Sequence, residues 1–283
     1  MGAQVSLLPD GQRLHLHHGP IDLIIGVTGP GREAAFNIAT TRFRTVLDEL
    51  VTELEMLRQP LSDANPFQGD IARLMRAAVV PFGKVFVTPM AAVAGAVADT
   101  ILAALRSAGG LQTAYVNNGG DVALWLAPGQ KITAAIAAGL PDRVTLTPDM
   151  KIGGIATSGW RGRSLSFGIA DAVTVLARTA AAADAAATLI ANVVDLPGNN
   201  KIQRQPACDL APDSDLGAQL ITVDVAPLTG DEIAQALENG AKYARFIQSS
   251  GLIHAALLTL NGQRHIVGTP DFFSSKPKEL HHA

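Results

Sequence analysis

The sequence has one cysteine, few aromatic residues and no long uninterrupted apolar run, and these shortages exclude several classes of protein. Cys208 alone cannot form an intrachain disulfide. The net charge of −3, without a dense basic run, argues against a nucleic-acid partner. Met1–His18 carries polar residues throughout, and no stretch resembles a signal peptide or the roughly 18 uninterrupted apolar residues of a membrane span. We therefore expect a cytoplasmic protein with no membrane partner.

The sequence is rich in apolar residues, which make up 48% of the chain and suffice for a large buried core. Ala180–Ala187 is interrupted only by Asp184, and such an alanine run strongly favours a helix. Apolar residues recur at helical spacing over Arg32–Leu57. Runs of strands separated by single helices predict an α+β fold. Because no linker-like stretch divides the chain, we expect a single domain over residues 1–273 and a flexible tail over 274–283.

Further strands, helices and loops are predicted between these segments. Lys84–Thr88 is expected to be a short strand, followed by a small-residue helix over Met90–Ser107. Ser166–Leu176 is typical of a strand. The polar stretch Pro197–Leu216 is predicted to be a long loop.

Hairpins are predicted at both ends of the chain. Val5–Leu8 and Arg13–His17 flank a Pro-Asp-Gly turn, and residues 261–262 form an Asn-Gly turn. Near the C-terminus, Thr229 and Glu232 have the spacing of a capping box, which starts a helix.

The first motif that could carry chemistry is Val116–Val122, with sequence VNNGGDV. As local structure it predicts a tight hairpin turn, because Asn-Gly and Gly-Gly readily adopt positive φ. As a binding motif, its bare backbone would let a nucleotide approach, with Asp121 as an acceptor. The two interpretations are compatible, and the candidate ligand contacts are Asn118, Gly119, Gly120 and Asp121.

The second motif, Gly153–Ser164, combines small residues, hydroxyls and two arginines. Consecutive backbone N–H groups can form an anion-binding nest, and guanidinium groups bind phosphate. A solvated β-turn is the structural alternative. The candidate contacts are Thr157, Ser158, Gly159, Arg161 and Arg163.

The third motif lies on the alanine-rich helix, where Asp184 and Thr188 are four residues apart and share one face. A carboxylate in an apolar helix requires a partner. Carboxylate and hydroxyl oxygens suit Mg²⁺, which keeps water or phosphate in its other positions. Alternatively, Asp184 caps a neighbouring segment and Thr188 bonds to its own helix.

Taken together, four segments in this order resemble the UPF0280 proteins, a branch of the ApbE superfamily. The segments are Thr88–Ala96, Val116–Asp121, Ala156–Ala177 and Ala183–Asn192. The resemblance extends over about residues 20–260. It implies an ApbE-like (T-fold-like) architecture of mixed or antiparallel sheets packed with helices.

ApbE enzymes are Mg²⁺-dependent transferases that cleave FAD and attach FMN to a Thr or Ser of a target protein. The resemblance implies that Asp184 and Thr188 bind the metal. It implies that Asn117–Asp121 and Thr157–Gly159 line a pocket for FAD or a related phosphorylated ligand, and we place Arg163 beside them. The sequence departs from the family in two places. No His or Pro occurs between Gly159 and Val173, where the transferases carry a His-containing segment, and the Lys-Gly of their early helix reads Ala94-Gly95 here.

Three hypotheses follow from these residues. The chain is a Mg²⁺-dependent enzyme acting on FAD, a non-catalytic protein that binds a flavin or another phosphorylated cofactor, or an assembly protein. In the last case, the small-residue helix would pack in a homodimer.

Overall fold

The computed structural model describes residues 2–62, 66–137, 141–162, 164–269 and 272–273. The predicted tail, residues 274–283, lies outside these residues.

The described chain is built around a nine-stranded sheet with the order β1-β2-β3-β4-β5-β8-β9-β12-β13, in which all neighbouring strands are antiparallel. Two further antiparallel pairs are β6-β7 and β10-β11. The strands are β1 (Gln4–Leu7), β2 (Arg13–His18), β3 (Ile21–Thr28), β4 (Thr113–Asn118), β5 (Asp121–Leu126), β6 (Ile132–Ala137), β7 (Pro141–Leu146), β8 (Gly154–Ser158), β9 (Ala172–Ala177), β10 (Ile202–Pro206), β11 (Leu220–Val225), β12 (Ala255–Leu260) and β13 (Gln263–Val267).

Helices cover one face of the sheet. They are α1 (Arg32–Thr52), α2 (Leu54–Leu57), α3 (Asp70–Val79), α4 (Val93–Arg106), α5 (Ala180–Val193), α6 (Ala207–Leu210) and α7 (Gly230–Ser249). Because side chains alternate along a strand, Val175 and Leu258 pack in the core beneath the helices, whereas Leu176 and Leu257 pack in a second core beside β6 and β7. The α+β prediction is confirmed.

Helices α4 and α5 pack closely and bind each other through two carboxylates. A Cβ on Gly95 would lie 2.3 Å from the carbonyl oxygen of Ala180, so only glycine allows this approach. The backbone N–H groups of Ala180 and Ala181 donate to Asp99 on α4, at 3.0 and 2.9 Å. The N–H of Gly95 donates in turn to Asp184 on α5, at 3.0 Å. Each carboxylate therefore satisfies N–H groups in the first turn of the other helix.

The predicted strand at Lys84–Thr88 is wrong. The segment pairs with no strand of the described chain, and the carbonyl of Val87 accepts a single backbone hydrogen bond from Leu61. The predicted strand Ser166–Leu176 begins only at Ala172. Its first part is held away from the sheet because Ser166 and Phe167 donate to the Asn192 side chain on α5.

The predicted loop Pro197–Leu216 contains β10 and the short helix α6. Strand β10 pairs with β11, whose residues lie about twenty positions later, so local sequence carried no signal for it. The predicted capping box is confirmed, because Thr229 and Glu232 bind each other's backbone N–H. Both predicted hairpins are present.

The segment Pro89–Arg106 has the length and apolarity of a membrane span, but half of it is buried within the protein. It begins as a 3-10 turn and continues as α4, which packs on α1, α5 and the sheet. Its small residues thus serve packing within the chain. A buried core helix passes the same test of length and apolarity, so the finding is weak support for a membrane location.

Candidate functional site

The first motif forms the tight turn between β4 and β5. Asn118 and Asp121 are paired across the turn, and Gly119 and Gly120 adopt φ of 63° and 120°. The side-chain oxygen of Asn117 accepts from the N–H of Gly120 at 2.8 Å. Positive φ at both central residues explains why two glycines are required here.

The polar side chains of this turn connect it to α4 and β8. Asn118 is buried, and its Nδ2 donates to the carbonyl of Ala94 at 3.1 Å. Oδ1 of Asp121 accepts from the N–H of Thr157 at 3.2 Å. The first and second motifs are therefore neighbours, although they are far apart in sequence.

The second motif lies at the end of β8 and in the loop that follows it. The hydroxyl of Thr157 lies 2.8 Å from that of Thr174 on β9. Ser158 is the last residue of the strand and is partly exposed. A Cβ on Gly159 would lie 2.4 Å from the carbonyl oxygen of Asp171, so a larger residue would displace the loop.

These two motifs line one wall of a cavity of about 840 Å³. The predicted residues in this wall are Asn118, Gly119, Asp121, Thr157, Ser158 and Gly159. The opposite wall is apolar and comes from the end of α1 and from α2, with Leu47, Leu50, Val51 and Leu54. A cavity with one polar and one apolar wall suits a ligand that has a flat apolar part and a polar or charged part.

A second cavity, of about 250 Å³, contains the third motif. Asp184 and Thr188 line it together with Asp121. Asp121 and Ser164 line both cavities, so the two are adjacent. The predicted metal pair and the predicted ligand contacts therefore meet at Asp121.

The electrostatics of this junction favour a proton or a cation at Asp184. Burial raises the pKa of Asp184 well above its ordinary value, and the charge of Asp121 raises it further, whereas the N–H of Gly95 opposes the shift. Two carboxylates beside one cavity repel each other unless a cation or a proton lies between them.

The oxygen atoms at this site fit a Mg²⁺ ion that is bound by only a few protein side chains. Asp184, Thr188 and Asp121 offer hard oxygen donors, which Mg²⁺ prefers. Within the described residues no group of three or more His, Cys, Asp or Glu side chains is arranged around one point. A metal here would therefore keep water or ligand oxygens in its other positions, as Mg²⁺ commonly does. Asp184 does cap a neighbouring segment, the start of α4, as the structural alternative predicts. Because it also faces a cavity, capping does not account for all of its surroundings.

Two predicted contacts, Arg161 and Gly120, line neither cavity. Arg161 pairs with Asp171 at 2.9 Å and lies over the ring of Trp160, outside both cavity walls. Gly120 shapes the turn but does not line either cavity. Arg163 lies outside the described residues.

Sequence reasoning missed the loop that closes the smaller cavity and the apolar wall of the larger one. Asp215, which accepts a hydrogen bond from the buried Thr88, lines the smaller cavity together with Ser214. Both lie in the stretch predicted to be a plain loop, and nothing in the local sequence marks them. The apolar wall had a signal in the sequence, because Leu47, Leu50 and Leu54 recur at helical spacing within the predicted helix Arg32–Leu57.

The fold defines an α+β protein of the ApbE type. The apo form of the Pseudomonas stutzeri flavinyl transferase ApbE has a TM-score of 0.52 at 13% identity, covering 96% of this chain and 97% of that one. The ApbE protein of Thermotoga maritima has a TM-score of 0.54 at 13% identity, covering 95% of this chain and 98% of that one. At such identities the likeness shows the fold alone.

The chain belongs to the family described as AbpE bacteria, whose model matches residues 5–266. It is also similar to UPF0280 proteins. The one from Methanospirillum hungatei is 33% identical over 66% of this chain and 79% of its own length. The one from Methanopyrus kandleri is 42% identical over 44% of this chain and 49% of its own length. The alignment spans about half the length of the first curated relatives that it matches. The predicted UPF0280 and ApbE relationship is confirmed.

Proposed function

We propose that this protein binds a flavin nucleotide such as FAD together with Mg²⁺, and that it reacts at the pyrophosphate to release AMP and transfer FMN. The observation that carries the proposal is the junction at Asp121, where the cavity with Asp184 and Thr188 meets the cavity lined by the two glycine and hydroxyl motifs. The family and the fold support it, since structures with this fold include proteins named flavin transferases.

Each group has a role that follows from its position. Asp184, Thr188 and Asp121 would hold Mg²⁺, which when bound polarises phosphate oxygens as a Lewis acid. The backbone of Gly119 and the hydroxyl of Ser158 would orient the phosphates. Asn118, Thr157 and Gly159 are assigned to the same ligand. Gly120 would act only by shaping the turn, and Arg163 stays a prediction from the sequence.

The wider cavity fits the organic part of a flavin nucleotide. Its volume of about 840 Å³ lies in the range of small-molecule sites. The apolar wall formed by Leu47, Leu50 and Leu54 would bind a flat ring and exclude water from the phosphates. The small cavity would then receive the phosphates beside the carboxylates.

The test is a product assay with a matched variant. Purified protein is incubated with FAD, with and without Mg²⁺ and candidate acceptor proteins, and AMP, FMN and flavinylated acceptor are measured by mass spectrometry. We expect Mg²⁺-dependent AMP release, which Asp184→Asn abolishes. Asp224→Asn, which changes an exposed carboxylate on β11, should not affect it. Absence of AMP and FMN under all conditions would refute the enzyme.

A second candidate is a binding protein without turnover. The segment between Gly159 and Val173 has no His or Pro, where the transferases carry a His-containing segment. In this case the protein would purify yellow, or FAD would raise its melting temperature, without product formation.

Location and assembly are part of the proposal. We expect a cytoplasmic protein that acts on a small phosphorylated ligand without nucleic acid. A homodimer stays a prediction, whose contact would have to lie outside the packed faces of α4, and sedimentation analysis would detect it as a doubled mass.

A further inference from the structure

We propose that a third cavity, on the side of the α4–α5 pair where Asp99 lies, binds a phosphorylated small molecule. This cavity has a volume of about 610 Å³ and is lined by three cationic side chains, Arg106, Lys151 and Arg178. None of its lining residues is shared with either cavity of the proposed flavin site. The inference is therefore independent of the proposed function.

Positive charge predominates in this cavity, because its three cationic side chains face one carboxylate, Asp99. Within the part of the chain that the structure describes, Arg106, Lys151 and Arg178 form no ion pair with a carboxylate. The carboxylate among the lining residues is Asp99, which already accepts two N–H groups from α5. Three cations around one concave surface attract a multiply charged anion, and guanidinium groups bind phosphate oxygens in pairs.

A neighbouring histidine responds to this charge. Burial, and then the positive charge of Arg178, lowers the pKa of His254 below its ordinary value. Nε2 of His254 is buried and has no hydrogen-bond partner among the described residues. Arg178 therefore places its positive charge close to His254 as well as at the cavity.

The backbone that presents Lys151 is strained. Lys151 follows a 3-10 turn and adopts φ of 54°, in the left-handed region that favours glycine. A non-glycine residue there costs on the order of 1 kcal/mol. This conformation holds Lys151 in the lining of the cavity.

The uncharged part of the lining indicates an apolar or aromatic portion in the ligand. Leu74, Ala78 and Leu102 form an apolar surface, and the partly exposed ring of Trp125 lies 5.3 Å from the guanidinium of Arg106. The volume suits a small molecule. A compound with phosphate groups on an aromatic or apolar body matches both kinds of lining.

Trp125 provides a direct readout. The chain has two tryptophans, so Trp160→Phe leaves Trp125 as the sole indole. We would titrate this variant with inorganic pyrophosphate and, separately, ADP, in the presence of EDTA so that no divalent cation supports binding elsewhere. We expect a saturable change in tryptophan fluorescence that weakens with added salt, and tighter binding of ADP than of pyrophosphate.

Variants locate the binding. Replacing Lys151 and Arg178 together with Gln should weaken binding at least tenfold, and all three cationic positions are exposed, so the fold should tolerate the change. Lys242→Gln, at an exposed lysine on α7, is the matched control and should have no effect. Arg178→Lys should retain part of the affinity. The proposal is overturned if neither anion binds at millimolar concentration, if the double variant binds as well as its parent, or if Asp184→Asn weakens binding equally.

Discussion

Asp99 and Asp184 occupy equivalent positions in the α4–α5 pair, yet their surroundings differ. Each carboxylate accepts N–H groups from the first turn of the opposite helix. Burial raises the pKa of both. Asp99 faces a cavity with three cations, whereas Asp184 faces a cavity with a second carboxylate, Asp121, and the hydroxyl of Thr188.

The comparison shows that burial of a carboxylate does not by itself indicate a metal. Capping of a helix accounts for the position of Asp99, because its two oxygens accept hydrogen bonds from two backbone N–H groups. Capping accounts for only part of Asp184. The neighbouring carboxylate, Asp121, adds repulsion that a proton or a cation at Asp184 would relieve.

The largest expected effect comes from Gly95→Ala, which disturbs both carboxylates at once. The added Cβ would lie 2.3 Å from the carbonyl oxygen of Ala180, so α4 and α5 must separate. We expect a loss of about 3 kcal/mol or more in the free energy of unfolding, measured by urea denaturation. Gly230→Ala is the control, since a Cβ there contacts nothing within 4 Å. A Gly95→Ala variant as stable as the control would show that the helices are not closely packed.

The next effect is a pH dependence assigned to Asp99. Burial raises the pKa of this carboxyl from 3.8 to about 6, against the opposing N–H groups of Ala181 and Ala180. Because the folded state binds this proton more tightly, its stabilising contribution is complete below pH 3.8 and is lost as the pH rises through about 6. The loss is up to roughly 3 kcal/mol.

Asp99→Asn removes this titration and keeps one acceptor oxygen. The stability of the native protein minus that of the variant should therefore fall between about pH 4 and pH 6. The difference between the two proteins is needed because other carboxyl groups also titrate. The pKa values of Asp10 and Glu232 are lowered to about 2, so these groups lose their stabilising effect as the pH falls, in the opposite direction to Asp99. A difference that stays constant with pH would show that Asp99 does not titrate between about pH 4 and pH 6.

Mg²⁺ should distinguish the two carboxylates. At a concentration one hundred times its Kd, a ligand that binds only the folded state stabilises it by about 2.7 kcal/mol. We expect such a rise in the native protein and in Asp99→Asn, but none in Asp184→Asn, measured by thermal unfolding with and without Mg²⁺. Equal responses in the two variants would show that Asp184 does not bind the metal.

The local features of the site were predictable from sequence, whereas its enclosure was not. Two glycines that need positive φ identify the turn at 119–120, and spacing of four places Asp184 and Thr188 on one helix face. These signals lie within a few residues of each other. The identity of the neighbours of Asp184 depends on chain pairing instead, such as the sheet register that brings Asp121 beside Thr157.

The prediction failed where long-range contacts decide the conformation. Thr88 is bonded to Asp215, 127 residues later, and that contact replaces the strand predicted at Lys84–Thr88. Strand β10 forms only because β11 lies beside it. The sequence likewise contained no sign that Asp99 caps α5, since its partners are backbone groups 81 and 82 residues away.

Thr188 offers the smallest and most specific test, because its hydroxyl is one of the features that separate the surroundings of Asp184 from those of Asp99. Thr188→Val keeps the shape of the side chain and removes the oxygen, whereas Thr188→Ser keeps the oxygen. Loss of one hydrogen bond or ligand to a charged group corresponds to about 1.5 kcal/mol, so we expect roughly tenfold weaker Mg²⁺ binding in the valine variant. Calorimetric titration would measure it. Normal affinity in Thr188→Val would mean that the hydroxyl bonds only to its own helix and that Asp121 supplies the second ligand, which the corresponding titration of Asp121→Asn would then reveal.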